Sequence, residues 1–155
     1  MSITDVKGTY VLDPSHSSLS FITRHAMVTK VRGSFEDFEG KATVDGANPE
    51  GSELAVTIKA GSVNTRSADR DAHLTSPDFF DVEKYPTITF VGTDFAVEGD
   101  TVNVTGDMTI KDVTKPVTFP LEYTGTAKDP FGNIRVGFAG ATQVLRSDFG
   151  LTWNA

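Results

Sequence analysis

The sequence predicts an all-β fold: an up-and-down antiparallel barrel of about eight strands with a helical insertion near residues 65–82. Three observations lead there. Apolar and polar residues alternate with period two along most of the chain, as half-buried strands require. Several alternating stretches run to ten residues or more and are joined by short turn-forming links. Such strands exceed the usual length, and when they carry bulges they bend into a closed barrel more readily than into a sandwich. Finally, one stretch breaks the alternation, SVNTRSADRDAHLTSPDFFDVEKYPTITF (62–90), and reads as a helical plug between two sets of strands. A barrel of this kind can hold one small ligand inside.

Taken in order, Thr9 to Leu12 is a short strand closed by Asp13-Pro14. From His16 to Val28, Leu19, Phe21, Thr23, His25 and Met27 share one face, and Ser18, Ser20, Ile22 and Arg24 the other. After a tight link at Thr29-Lys30, Val31, Gly33 and Phe35 continue the pattern. The phase then slips to Phe38, Gly40, Ala42 and Val44, a slip that a β-bulge would produce. Asp45-Gly46 and Asn48-Pro49-Glu50-Gly51 are turn chemistry, leading into an inward face of Leu54, Val56, Ile58 and Ala60. Within the plug, Ala68 to Leu74 reads as a helix with Asp69 in its first turn and Ser67 or Thr65 as its cap. Pro77 ends that helix, and Ser76-Pro77-Asp78 opens a second turn. Adjacent residues cannot share one face of a strand, so a helical turn is expected to tuck both Phe79 and Phe80 against an apolar surface.

Beyond the plug, Ile88 and Phe90 share a face while Phe95 and Val97 fall on the other phase, which predicts a second bulge near Val91-Gly92. Glu98-Gly99-Asp100 is a tight hairpin into Val102, Val104, Gly106, Met108 and Ile110. Lys111 to Pro116 turns the chain into Val117, Phe119, Leu121 and Tyr123. Asp129 to Asn133 turns it again, into Ile134, Val136, Phe138, Gly140, Thr142 and Val144. No linker, low-complexity tract or repeat interrupts the 155 residues, so a single domain is expected.

Composition narrows the function classes. Fourteen basic against twenty-one acidic residues leave a net charge of −7, which argues against a nucleic-acid or anionic-membrane surface. Without cysteine there is no disulfide, thiolate nucleophile or Cys-ligated metal. The first twenty residues lack a basic start followed by an apolar core, and no run approaches the ~20 apolar residues of a membrane helix. The expectation is a cytoplasmic protein with no transmembrane segment. No G-x-S-x-G is present, and His16, His25 and His73 lie far apart, so neither a catalytic set nor a metal site is expected. His16 reads as a turn histidine within Asp13-Pro14-Ser15-His16.

Eleven phenylalanines suggest an interior with more aromatic lining than a small sandwich needs. Phe21, Phe35, Phe79, Phe80, Phe90 and Phe138 are candidate walls of an apolar tunnel; the alternative is that they fill an ordinary core. His25 lies in the phase of Leu19 and Phe21. It is either a core histidine bonded to a hydroxyl such as Thr23 or Ser20, or a polar group that fixes a ligand headgroup. Arg66, Arg70 and His73 form a second candidate group. Either the arginines pair with Asp69, Asp71 or Asp78 and cap the barrel end, or their guanidinium donors meet a diphosphate or carbonyl headgroup at the mouth.

The run DPSHSSLSF (13–21) with His25, the block 62–90, TGDMTIKDVTKPV (105–117) and RSDFGLTWN (146–154) resemble the YceI-like family of polyisoprenoid-binding proteins. The resemblance is in order and spans nearly the whole chain. It implies a lipocalin-like antiparallel barrel with an elongated apolar tunnel for a prenyl chain, as of a polyprenyl diphosphate or an isoprenoid quinone. It implies no catalytic activity and no cofactor beyond the bound lipid, and homodimers are common in the family. Relatives usually continue past the FGLTWN stretch with a further closing strand, so the expectation is either a truncated sequence or a barrel with an open seam. Binding, storage or transport of an isoprenoid lipid is therefore the leading expectation. The alternatives are an enzyme acting on a bound isoprenoid through a histidine, and a stress-related interaction protein whose barrel is solidly packed.

Overall fold

The computed structural model describes residues 2–25, 29–149 and 151, with the side chains of residues 24, 25, 29 and 147 outside that set. In chain order the elements are β1 (Lys7–Val11), β2 (Leu19–His25), β3 (Thr29–Phe35), β4 (Phe38–Asp45), β5 (Glu53–Lys59), β6 (Val63–Asn64), α1 (Ala68–Thr75), β7 (Thr87–Glu98), β8 (Thr101–Ile110), β9 (Val113–Lys128) and β10 (Ile134–Gly140). The fold class is all-β, as expected, and the helical insertion falls where the alternation breaks. Seven strands form one sheet in the order β1-β4-β5-β7-β8-β9-β10, and β2-β3-β6 form a smaller second sheet. Every pairing among the described residues is antiparallel.

The helix begins as its sequence dictates. The Ser67 hydroxyl accepts from the Arg70 N–H at 3.3 Å, and Asp69 and Asp71 occupy the first turn. Thr65 is not the cap, but it is tied to the same helix, because its N–H and hydroxyl both donate to the Asp71 carboxylate. After the helix, Phe80 N–H donates to the Leu74 carbonyl and Phe79 N–H to the Ser76 carbonyl. These bonds fold the chain back and bury both rings, as the turn reading anticipates.

Thr29 and Lys30, read as a tight link, are instead the start of β3, where they pair with His25 and Arg24. Three further differences from the sequence reading each have a nameable reason. The phase slip between Phe35 and Phe38 is a change of sheet rather than a bulge, since β3 pairs with β2 and β6 whereas β4 pairs with β1 and β5. Glu36 and Asp37 make the crossing, held by Glu36 N–H to Ser62 O and Lys59 N–H to Asp37 O. In the second case, β9 starts at Val113 and passes straight through Pro116 and Pro120. Proline cannot donate to a ladder, but β10 joins β9 only from Leu121 onward, so along Pro116–Pro120 one side of β9 has no ladder partner among the described residues. That arrangement also accounts for the third difference. β10 stops at Gly140 rather than Val144 because its next partner would be Pro120. The bulge expected near Val91-Gly92 is present, as a register shift between Gly92 and Asp94.

β1 and β10 are the two ends of the large sheet, yet Tyr10 of β1 and Val136 and Phe138 of β10 pack against one cluster with Ile3, Val6 and Tyr123. The sheet is therefore curled until its ends meet. Among the described residues the ends are joined by side chains and not by ladder bonds. The Arg135 guanidinium donates to the Asp13 carboxylate and also approaches Asp129 at 3.4 Å. Asp13 further accepts from the Ser15 hydroxyl at 2.7 Å and lies 2.9 Å from His16 Nδ1. His16 is thus a turn histidine whose side chain meets a carboxylate.

The Ser15 hydroxyl, the Arg135 guanidinium and His16 hold the Asp13 carboxyl far below the usual carboxylate range. A pKa depressed in the folded state stabilises the fold above the unfolded value of ~3.9 and stops doing so as pH falls through the folded value. The urea midpoints of the wild type and Asp13→Asn should therefore differ near neutral pH and converge in strong acid. A gap that stays constant with pH would mean that Asp13 acts through packing and not through its charge.

Candidate functional site

The main core lies between the curled sheet and a lid made of the small sheet and the helical segment. Ala60, Phe79, Phe80, Ile88, Phe90, Val104, Ile110, Val117, Phe149 and Leu151 are buried there. The sequence-derived aromatics assemble into a contiguous row at the lid. Phe21 and Phe35 lie 5.6 Å apart, Phe35 and Phe80 5.9 Å, and Phe79 and Phe80 meet edge to face at 5.0 Å. The Phe21 ring can lie flat on β3 because its cross-strand partner is Gly33, where a Cβ would come within 2.4 Å of the ring. Phe90 sits deeper in the same core and meets Phe119 at 5.2 Å with perpendicular rings. Phe138 is apart from these five, packed 5.8 Å from Tyr123 in the second cluster.

An apolar cavity of about 110 Å³ opens between the two clusters. Leu54, Phe95, Val97, Val102, Val104, Leu121 and Phe138 form its walls, and the N-terminal turn closes it with Ile3. Ile3 is almost wholly buried because its turn lies directly on Gly46, where any side chain would collide with the Ile3 carbonyl. Two polar residues of the lining, Asp45 and Ser52, are engaged by the local turn. Asp45 accepts from the Ala47 and Asn48 N–H groups, and the Ser52 hydroxyl accepts from the Asp45 N–H. The exposed walls of the cavity are hydrocarbon, which suits a hydrocarbon occupant.

Of the nine sequence-derived candidates whose side chains are described, only Phe138 lines this cavity. Arg66, Arg70 and His73 stand at the lid. Arg66 has a left-handed backbone (φ 63°) supported by its N–H bond to Asn64 Oδ1, and its side chain is exposed. Arg70 does not pair with Asp69, Asp71 or Asp78. Its Nε donates to the Thr65 hydroxyl at 2.8 Å and Nη2 to the Thr65 carbonyl at 2.7 Å. Buried Thr65 needs those partners, and a five-donor guanidinium supplies two in a fixed fork. His73 Nε2 lies 3.7 Å from the Asp78 carboxylate. The His25 backbone pairs with Thr29 in the small sheet, and its side chain lies outside the described residues. Among the cavity residues that the candidate set omits, Leu54, Val102, Val104 and Leu121 already stand in the inward phase of their strands. Ile3 carries no comparable signal, being a lone apolar residue ahead of the first strand.

A model of the YceI-like domain matches residues 10–155. The chain belongs to the YceI-like family. A UPF0312 protein of Ectopseudomonas mendocina is 40% identical over 146 residues, covering 92% of this chain and 76% of the relative. Among solved structures, Burkholderia cenocepacia BcnA superposes with a TM-score of 0.82 at 26% identity, over 92% of this YceI-like chain and 86% of BcnA. A polyisoprenoid binding domain from Saccharophagus degradans, implicated in plant cell wall breakdown, superposes with a TM-score of 0.71 over 95% of this chain and 83% of that one. At 19% identity the latter attests the shared fold alone. No helix of the described YceI-like domain is long and apolar enough to cross a membrane.

Proposed function

We propose that this YceI-like chain binds an isoprenoid lipid, of the polyprenyl diphosphate or isoprenoid quinone type, and holds it without altering it. The observation that carries the reading is the cavity, whose exposed walls are hydrocarbon. The polyisoprenoid binding named for the Saccharophagus relative of the same fold supports the choice of ligand class. At about 110 Å³ the cavity suits roughly one isoprene unit, given that an apolar cavity of ~150 Å³ takes up benzene. A longer prenyl chain has to part the core side chains between the cavity and the aromatic row. In this reading the tail tip enters beside Val102 and Leu121. Asp45 and Glu53 at that end repel a diphosphate, so the head lies toward Arg66, Arg70 and His73. The driving force is burial of prenyl surface, about 25 cal/mol per Å² before the costs of association.

Native mass spectrometry of the purified protein, followed by denaturation and lipid identification, tests this directly. A retained mass that resolves to an isoprenoid is the expected result, and the same spectrum tests the homodimer that the resemblance implies. Val102→Phe, which fills the cavity with a ring, should abolish retention while the melting temperature holds or rises. Undiminished retention in Val102→Phe would remove the cavity from the reading.

A further inference from the structure

We propose that the outward face of the β2–β3 ribbon docks on an anionic lipid bilayer. The proposal rests on the carrier reading, since a lipid so insoluble has to be collected from or delivered to a membrane. Its chemistry stands on the ribbon itself. The net charge of −7 argues against an anionic-membrane surface for the chain as a whole, but this stretch is a local exception: between Asp13 and Glu36 the sequence contains no Asp or Glu and does contain Arg24, Lys30 and Arg32. The register places these positions together: Arg32 opposite Ile22, Lys30 opposite Arg24, and Ser34 opposite Ser20. Ser20, Ile22, Lys30 and Arg32 are exposed, Ile22 to 60%. Neither Lys30 nor Arg32 has a carboxylate partner among the described residues. Glu36, at the base of this face, is engaged by the Ser34 hydroxyl at 2.8 Å and the Asn64 amide at 3.3 Å.

The opposite face of the same ribbon carries Phe21, Val31 and Phe35, and Phe35 packs on Phe80. One ribbon thus presents cations around an exposed aliphatic side chain on its outside and covers the aromatic end of the core with its inside. That pairing suits a headgroup layer, where cations meet lipid phosphates and an aliphatic side chain reaches the acyl boundary. A nucleic acid would need a longer basic track than this ribbon offers. The acidic remainder of the surface is repelled by the same bilayer, so contact through the ribbon also orients the molecule with its aromatic end down.

Flotation of the purified protein with vesicles is the test, using phosphatidylcholine alone and phosphatidylcholine mixed with phosphatidylglycerol. Binding is expected only to the anionic vesicles and should be lost in high salt. Each cation near such a surface strengthens binding roughly fivefold, so Lys30→Gln/Arg32→Gln should weaken it about 25-fold. Lys115→Gln/Lys128→Gln changes the net charge identically at exposed positions of β9 and should leave binding unchanged. No binding by the wild type, equal binding to neutral vesicles, or equal loss in both double variants would each overturn the proposal. Native mass spectra of the same samples keep the two readings apart. Empty protein that floats counts against the carrier reading alone, whereas lipid-loaded protein that fails to float counts against docking alone.

Discussion

Phe90→Ala is expected to lower the folding free energy by about 3–5 kcal/mol and the melting temperature by about 10 °C. Phe90 is only 6% exposed, belongs to the main buried cluster and holds Phe119 in a perpendicular contact. Its neighbours cannot collapse into the space it leaves. On one side its ring lies against Gly106, which has no side chain to advance, and across the strands stand Val56 and Met108 in fixed register. The removed ring therefore leaves both lost transfer energy and a residual void. Phe131→Ala is the matched control, because Phe131 is 89% exposed and its loss should change stability by no more than ~0.5 kcal/mol. The same variant separates the two roles that the sequence allows for Phe90. A residue that merely walled a preformed tunnel would tolerate truncation and enlarge the tunnel. A melting temperature within a degree or two of the wild type would show that Phe90 is such a wall and not the keystone of the core.

Gly106→Val should be nearly as damaging, at about 2 kcal/mol or more, for the opposite reason. Gly106 of β8 faces Gly92 of β7 at the register shift, and the two backbones close up there. A Cβ at position 106 would come within 2.4 Å of the Val91 carbonyl, 2.6 Å of the Phe90 ring and 2.9 Å of the Gly92 Cα. Two of these three neighbours are backbone, so no rotamer change relieves the contact. Relief requires the strands to separate at the point where the bulge bends the sheet. Since the first carbon already clashes, Gly106→Ala should show most of the effect of Gly106→Val, in contrast to an ordinary core site, where damage grows with side-chain size. Thermal melts of the two variants decide it. Alanine tolerated while valine is not would mean that the sheet yields and that the glycine pair is not what allows the curl.

Both residues were legible in part. Phe90 was a core or tunnel candidate from its phase with Ile88, and the bulge beside Gly92 from the phase reversal at Phe95. The sequence could not tell that Gly106 stands directly across from Gly92, because register between strands is set by the whole hairpin and by what packs on it. The candidate site shows the same division. The phenylalanines at 21, 35, 79 and 80 could be nominated from local pattern, and they do meet. For Arg70 the sequence offers nearby aspartates or a ligand headgroup as partners, whereas in the structure its guanidinium meets the Thr65 hydroxyl and carbonyl.

By itself the sequence determined what is local: strand periodicity, the Ser67 cap, the Pro77 stop, the burial of both Phe79 and Phe80, and the turn chemistry at Asp45, Glu98 and Asp129. These follow from backbone geometry and from which side of an element is apolar, and both are written within a few residues of one another. Only the tertiary structure decided that β3 and β4 belong to different sheets, that Arg135 fastens one end of the large sheet to Asp13 at the other, and that the cavity lies under Ile3. A cavity is the volume left over after distant side chains have packed, and an ion pair 122 positions apart exists only once the sheet has curled. Neither is a property of any segment, so neither leaves a period or a motif to read.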